Sequence, residues 1–212
     1  MKLLDELTTL MNGIDLDWHL CGGYAIDVFL GDETRKHKDI DVTITFADLN
    51  KCIDFFKSKG WRIEAPVGEG RLVPIEYAIT HPELNFNNLF CFRKQESIPS
   101  AESTEIDFVE VLFNRVSNGL FYYKRNHLIT RSVEKAFVKV GDLSILAPEI
   151  VLLYKSTDSN NPDYQHDFDV SVGKLDQECL DWFVSAMNIS YPQGHPWIRA
   201  VRGADTKGGD SD

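Results

Sequence analysis

Between the short apolar run Trp18-His19-Leu20-Cys21 and the acidic pair Asp39-Ile40-Asp41 lies Gly22-Gly23-Tyr24-Ala25-Ile26-Asp27-Val28-Phe29-Leu30, and this juxtaposition restricts the fold more than any other stretch of the chain. It reads as strand, diglycine turn, helix, then a second strand. Side chains alternate faces along a strand, so Asp39 and Asp41 point the same way while Ile40 and Val42 point into the core. Two like charges at that spacing repel unless something neutralises them. A divalent cation does so simply, since Mg²⁺ takes one or two carboxylates and fills its other positions with water and substrate phosphates. Gly22 and Gly23 then fall where backbone N–H groups at a helix start can cradle phosphates with no side chain in the way. Taken singly, a diglycine is a tight turn and Asp-x-Asp a solvated edge; in this order and spacing they point to a phosphate and metal site.

The string Gly22-Gly23-x-Ala25-Ile26-Asp27, followed by Leu30-Gly31 and Thr34-Arg35-Lys36-His37-x-Asp39-Ile40-Asp41, resembles the nucleotidyltransferase fold of the DNA polymerase β superfamily. Within it the chain resembles the aminoglycoside 2''-nucleotidyltransferase and lincosamide nucleotidyltransferase branch. The resemblance implies an α+β fold, a mixed sheet with flanking helices and a small C-terminal helical part. It also implies a third acid on a later strand, as a two-metal site requires. Glu105-Ile106-Asp107-Phe108-Val109 offers one on a predicted strand, with Glu105 and Asp107 on one face. Asp107 best matches the family position, as metal ligand, as general base toward the acceptor hydroxyl, or as both; Glu105 and Glu110 are the alternatives, and a solvated outer face is the bland one. Pro148 to Lys155 looks like the helix that supplies a lysine to the triphosphate in this superfamily, although Lys155 also suits a snorkelling surface lysine. Arg35 and His37 either meet triphosphate oxygens or pair with Asp27 or Glu33 and hold the loop. His166-Asp167-Phe168-Asp169-Val170 resembles the family's acidic bracing helix, which makes Asp167 and Asp169 structural.

Two features depart from the family. The interval from Asp41 to Asp107 is long, with an insertion rich in Asn, Phe and Pro around residues 66–100, and Phe108-Val109-Glu110 stands where lincosamide enzymes tend to show a histidine. Both bear on the acceptor pocket.

A chain of 212 residues accommodates one domain with a small second lobe. The expected division is a catalytic domain over 1–146, a helical cap over 147–202 and a disordered tail over 203–212, with the boundary near 142–147. Helices are expected over 2–12, 48–59 with Asp48 as N-cap, 148–156, 164–172 and 176–188 with Asp176 as N-cap; strands over 61–65, 73–80, 89–93, 104–113, 120–126 and 136–140. Apolar runs such as 150–154 are far shorter than the ~20 residues of a membrane span, and acids interrupt the N-terminal run, so a cytoplasmic protein is expected. Cys21, Cys52, Cys91 and Cys179 lack metal-like spacing. The net charge of −11 makes nucleic acid an unlikely partner and is compatible with a cationic acceptor.

The resemblance thus implies a Mg²⁺-dependent enzyme, with two ions, that moves a nucleoside monophosphate from an NTP, ATP by preference, to a hydroxyl of a small molecule such as an aminoglycoside or lincosamide. In this reading Asp39, Asp41 and Asp107 hold metal, and Gly22, Gly23, Arg35, His37 and Lys155 hold nucleotide. A toxin-type enzyme that modifies a protein or tRNA and a non-catalytic nucleotide-binding regulator are the alternatives.

Overall fold

The computed structural model describes residues 2–93 and 105–205. Helix α1 (Lys2–Met11) turns Leu4, Leu7 and Met11 inward, at helical spacing. Strand β1 (Trp18–Cys21) feeds helix α2 (Gly22–Leu30), and strand β2 (Asp41–Thr45) follows. Gly31 ends α2 in the left-handed region, φ 75°, where its N–H reaches back to the carbonyls of Asp27 and Val28. Helix α3 (Leu49–Ser58) buries Cys52, Ile53 and Phe56. Asp48 precedes it without the expected side-chain cap, because its carboxylate accepts from the Thr45 hydroxyl at 2.6 Å instead.

Next come β3 (Arg62–Pro66), β4 (Leu72–Pro74), helix α4 (Ile75–Ala78), β5 (Asn88–Phe92) and β6 (Phe108–Ser117). The strand expected over 73–80 therefore breaks in two: Pro74 has no N–H with which to continue the ladder, and the chain coils into α4. The expected insertion falls partly outside the described residues, its first part being β3's end, β4, α4 and β5. The chain continues through β7 (Leu120–Tyr122), β8 (Thr130–Ser132), α5 (Val133–Ala136), β9 (Phe137–Val140) and β10 (Leu143–Leu146). The segment 142–147, expected as a lobe boundary, contains a sheet strand: β10 pairs parallel with β1, Leu20 opposite Ile145.

The sheet order is β4-β3-β5-β6-β2-β1-β10-β9, with β7 and β8 leading off β6. Two registers at its centre matter most. The parallel pair β2 and β6 sets Asp41 opposite Glu110, Thr43 opposite Leu112 and Thr45 opposite Asn114. Antiparallel β1 sets Cys21 opposite Asp41. The diglycine turn and one acid are thereby neighbours across the ladder.

Four helices complete the chain: α6 (Pro148–Lys155), α7 (Pro162–Ser171), α8 (Gln177–Ser190) and α9 (Pro196–Asp205). Helix α6 is apolar nearly all round, so it is buried, packed against α2, α7 and α8. Asp176 caps α8 by accepting from the Cys179 N–H at 2.8 Å. Trp197 stacks on Phe168 at 4.4 Å and donates its indole N–H to Gln165 at 2.7 Å, which ties α9 to α7. Helix α9 extends three residues into the expected tail, and residues 206–212 lie outside the described residues.

Candidate active site

The first turn of α2 is built around missing side chains. Cys21 is extended and Gly22 enters the helix at φ 66°, a left-handed conformation that strains any residue with a Cβ. A Cβ on Gly22 would lie 1.9 Å from Asp41 Oδ2, and one on Gly23 would lie 2.3 Å from His37 Nδ1 and 2.6 Å from Arg35 Nη2. Both glycines are therefore needed simply to let an acid and two bases approach the helix start.

Asp39, Asp41 and Glu110 each offer a carboxylate oxygen, and these oxygens all lie within 4.8 Å of one another. Burial holds the Asp41 carboxyl well above the usual carboxylate range, and the charges of Glu110 and Asp39 add to it. Glu110 is likewise raised, first by burial and then by Asp39, against a hydrogen bond from the Asn88 amide. A set of hard oxygens that repel one another is the donor set Mg²⁺ takes, so these residues fit the metal that the fold implies.

Asp107 is not in this group. It precedes β6, three residues from Glu110; on a strand an odd offset points the other way. Its main-chain oxygen accepts from the Arg93 N–H at 2.9 Å, and its Oδ1 is buried without a hydrogen-bond partner among the described residues. Glu105 faces Arg93 at 3.8 Å. The third acid at the cluster is thus Glu110. Parity along the segment does not single it out, because Phe108, Val109 and Val111 are buried on both faces of β6; only the register with Asp41 does.

The basic residues form two linked sets. Arg35 forks Asp167 through Nε at 2.8 Å and Nη2 at 2.9 Å, and Lys155 reaches the same carboxylate at 2.8 Å while lying over the Tyr164 ring at 4.5 Å. Burial works against the Asp167 charge, yet Arg35 and Lys155 outweigh it and hold the carboxyl below its usual range. Asp167 is fully buried, so its removal strands two cations. Asp167→Ala should lower stability by about 3–5 kcal/mol, read as a shift in the urea midpoint at unchanged slope. His37 takes the structural option left open by the sequence: its Nε2 lies 2.5 Å from Asp27 Oδ2, whose other oxygen accepts from the Thr34 hydroxyl at 2.8 Å. Arg35 makes its fork with Asp167, 132 positions away.

The glycines, the three acids, Arg35, His37 and Lys155 together line one cleft of about 430 Å³. Lys38, Lys124 and Arg125 line it too. Sequence reasoning singled out none of the three: Lys38 fills the open position of the His37-x-Asp39 string, and Lys124 and Arg125 share the loop after β7, with no motif around them. Burial lowers the Lys124 ammonium to about 8.

Residues 3–97 match the family model described as aminoglycoside-2''-adenylyltransferase. No curated protein matches the chain. Among solved structures, the lincomycin-bound lincosamide antibiotic adenylyltransferase LnuA is 16% identical, with 80% of this chain and 97% of that one covered at a TM-score of 0.51. The crystal structure of ANT(2'')-Ia in complex with adenylyl-2''-tobramycin is 14% identical, with 86% and 95% covered and a TM-score of 0.51. At these identities the likeness establishes the fold, and it is the one that the diglycine and Asp-x-Asp string resembles.

Proposed function

We propose that this nucleotidyltransferase, whose residues 3–97 match the aminoglycoside-2''-adenylyltransferase family model, moves AMP from ATP to a hydroxyl of a small, antibiotic-like molecule and releases pyrophosphate. The observation that carries the reading is the convergence of Asp39, Asp41 and Glu110 beside a helix start from which both side chains have been removed. Mg²⁺ held by these three carboxylates supplies charge neutralisation at the phosphates.

The remaining work falls to the chain's own groups. The N–H groups of Gly22 and Gly23, at the open end of α2, hold phosphate oxygens. Arg35 and Lys155, both fixed by Asp167, take the charge of the triphosphate. His37 bound to Asp27 ties the loop between α2 and β2 to α2. Glu110, across the ladder from Asp41 in the acid cluster, accepts the acceptor's hydroxyl proton as that oxygen attacks the α-phosphorus and pyrophosphate departs. In this account residues 1–146 form the catalytic unit and 147–202 a cap that contributes Lys155 and Asp167. The described residues contain no helix long and apolar enough to cross a membrane, and a cytoplasmic setting would supply the nucleotide.

Incubation with ATP labelled at the α-phosphate and a panel of hydroxyl-bearing compounds, including tobramycin and lincomycin, tests the reading: label should move to a small molecule only when Mg²⁺ is present. Label that moves instead to protein or tRNA in a lysate would overturn the small-molecule acceptor. Lys155→Ala should weaken Mg²⁺·ATP binding by about tenfold or more, the worth of one charge-assisted hydrogen bond, with acceptor affinity unchanged. An unaltered nucleotide affinity would make Lys155 solely the partner of Asp167.

A further inference from the structure

We propose that the acceptor sits in a second hollow beside the cleft, walled by Phe46, Phe86 and Phe113 and edged by Arg115, Lys124 and His127, and that it is an aromatic hydroxyl compound bearing an acidic group, not a polycation. The inference rests on the nucleotidyl-transfer reading of the neighbouring cleft and assigns its acceptor side.

The position follows from the strands. Asp41, Thr43 and Thr45 on β2 share a face with Glu110, Leu112 and Asn114 on β6. At a rise of about 3.3 Å per residue, Thr45 and Asn114 lie about 13 Å along that face from the acids, the length of a two-ring molecule with its hydroxyl at Glu110. The hollow, about 330 Å³, contains Thr45 and Asn114 in its wall and shares Phe113, Asn114 and Lys124 with the cleft. The two spaces are therefore neighbours along β6.

Its chemistry is specific. Phe46 meets the edge of Phe113 at 5.7 Å and Phe86 does so at 6.2 Å, so ring faces and edges line a slot. Phe46 is 59% exposed, an apolar ring with no core to serve. Arg115, over the Tyr122 ring at 4.9 Å, Lys124, donating to the Asn87 carbonyl at 3.0 Å, and His127 bring positive or neutral groups to the rim. No Asp or Glu lines the hollow among the described residues. Several ammonium groups placed there would meet like charge without a carboxylate to offset it, whereas a carboxylate on an aromatic ring would meet its complement. Carboxylates line the neighbouring cleft instead, in Asp39, Asp41, Glu110 and Asp163.

The test titrates the full chain with a hydroxynaphthoate, the matching hydroxynaphthyl methylamine and tobramycin, with Mg²⁺·ATP affinity measured on the same samples. The hydroxynaphthoate should bind at least tenfold more tightly than either cation, and Phe46→Ala should weaken it at least fivefold while leaving Mg²⁺·ATP affinity and melting temperature unchanged. Lys124→Glu with Arg115→Glu should invert the order of naphthoate and amine. Tobramycin binding as tightly as the naphthoate, or naphthoate binding indifferent to Phe46→Ala, overturns the assignment. Loss of Mg²⁺·ATP binding in the wild type counts against the nucleotidyl-transfer reading and is scored apart from it.

Discussion

Glu110→Gln should reduce nucleotidyl transfer by about a thousandfold, the scale of a lost general base, while Asp107→Asn leaves it within a few-fold of wild type. The two residues are three apart in the chain and opposite in expected consequence. Glu110 stands across the ladder from Asp41 and completes an acid cluster whose oxygens lie within 4.8 Å of one another. Asp107 sits before the strand, outside the lining of the cleft. Its substitution should register in stability, if anywhere, because its Oδ1 is buried without a hydrogen-bond partner among the described residues and an amide would meet the same surroundings. Pyrophosphate release under single-turnover conditions separates the two variants. The reverse result, with Asp107→Asn dead and Glu110→Gln active, would return the third acid to the family-derived position.

Asp41→Asn should abolish transfer and yet make the metal-free protein more stable. Burial, Glu110 and Asp39 all raise the Asp41 carboxyl in the folded state. A folded-state pKa above the unfolded value means that the native protein holds protons the unfolded chain has released, so stability falls as pH rises past the ordinary carboxylate value of ~4 and goes on falling up to the raised folded value. At neutral pH the variant is spared that penalty. A relief of about 1 kcal/mol corresponds to a rise in Tm of about 2–4 °C for a chain of this size. Added Mg²⁺ should raise the Tm of the wild type and leave that of the variant unmoved. A lower Tm for metal-free Asp41→Asn would mean that the carboxylate has a stabilising partner in the native state, contrary to the cluster described above.

What could be read from the sequence was what lies close together in it. Gly22, Gly23, Asp39 and Asp41 fall within 20 residues, although β2 opens only at Asp41 and Asp39 lies in the loop two residues ahead of it and not on the strand as expected. Asp176 as a cap and Pro148 at a helix start rest on equally local chemistry. Glu110 depended on a parallel register between β2 and β6, which no local pattern encodes, and a strand buried on both faces gave the alternation nothing to report. The pairing of His37 with nearby Asp27 was one of the two local options, whereas the fork of Arg35 on Asp167 spans 132 positions and had no local signal. Strand β10 is only four residues long, Leu143 to Leu146, too short a run to announce itself, although it stands between β1 and the edge strand β9. The aromatic and basic hollow gathers residues from four segments of the chain and had no sequence signature at all.

The most direct test of the account is a calorimetric titration of the protein with a non-hydrolysable ATP analogue, with and without Mg²⁺, on wild type and Asp41→Asn. If the three carboxylates and the diglycine turn form a metal-assisted triphosphate site, the wild type binds the analogue at least tenfold more tightly with Mg²⁺ than without, and Asp41→Asn loses that difference. Equal affinity with and without the metal, or an undiminished metal effect in the variant, would contradict it.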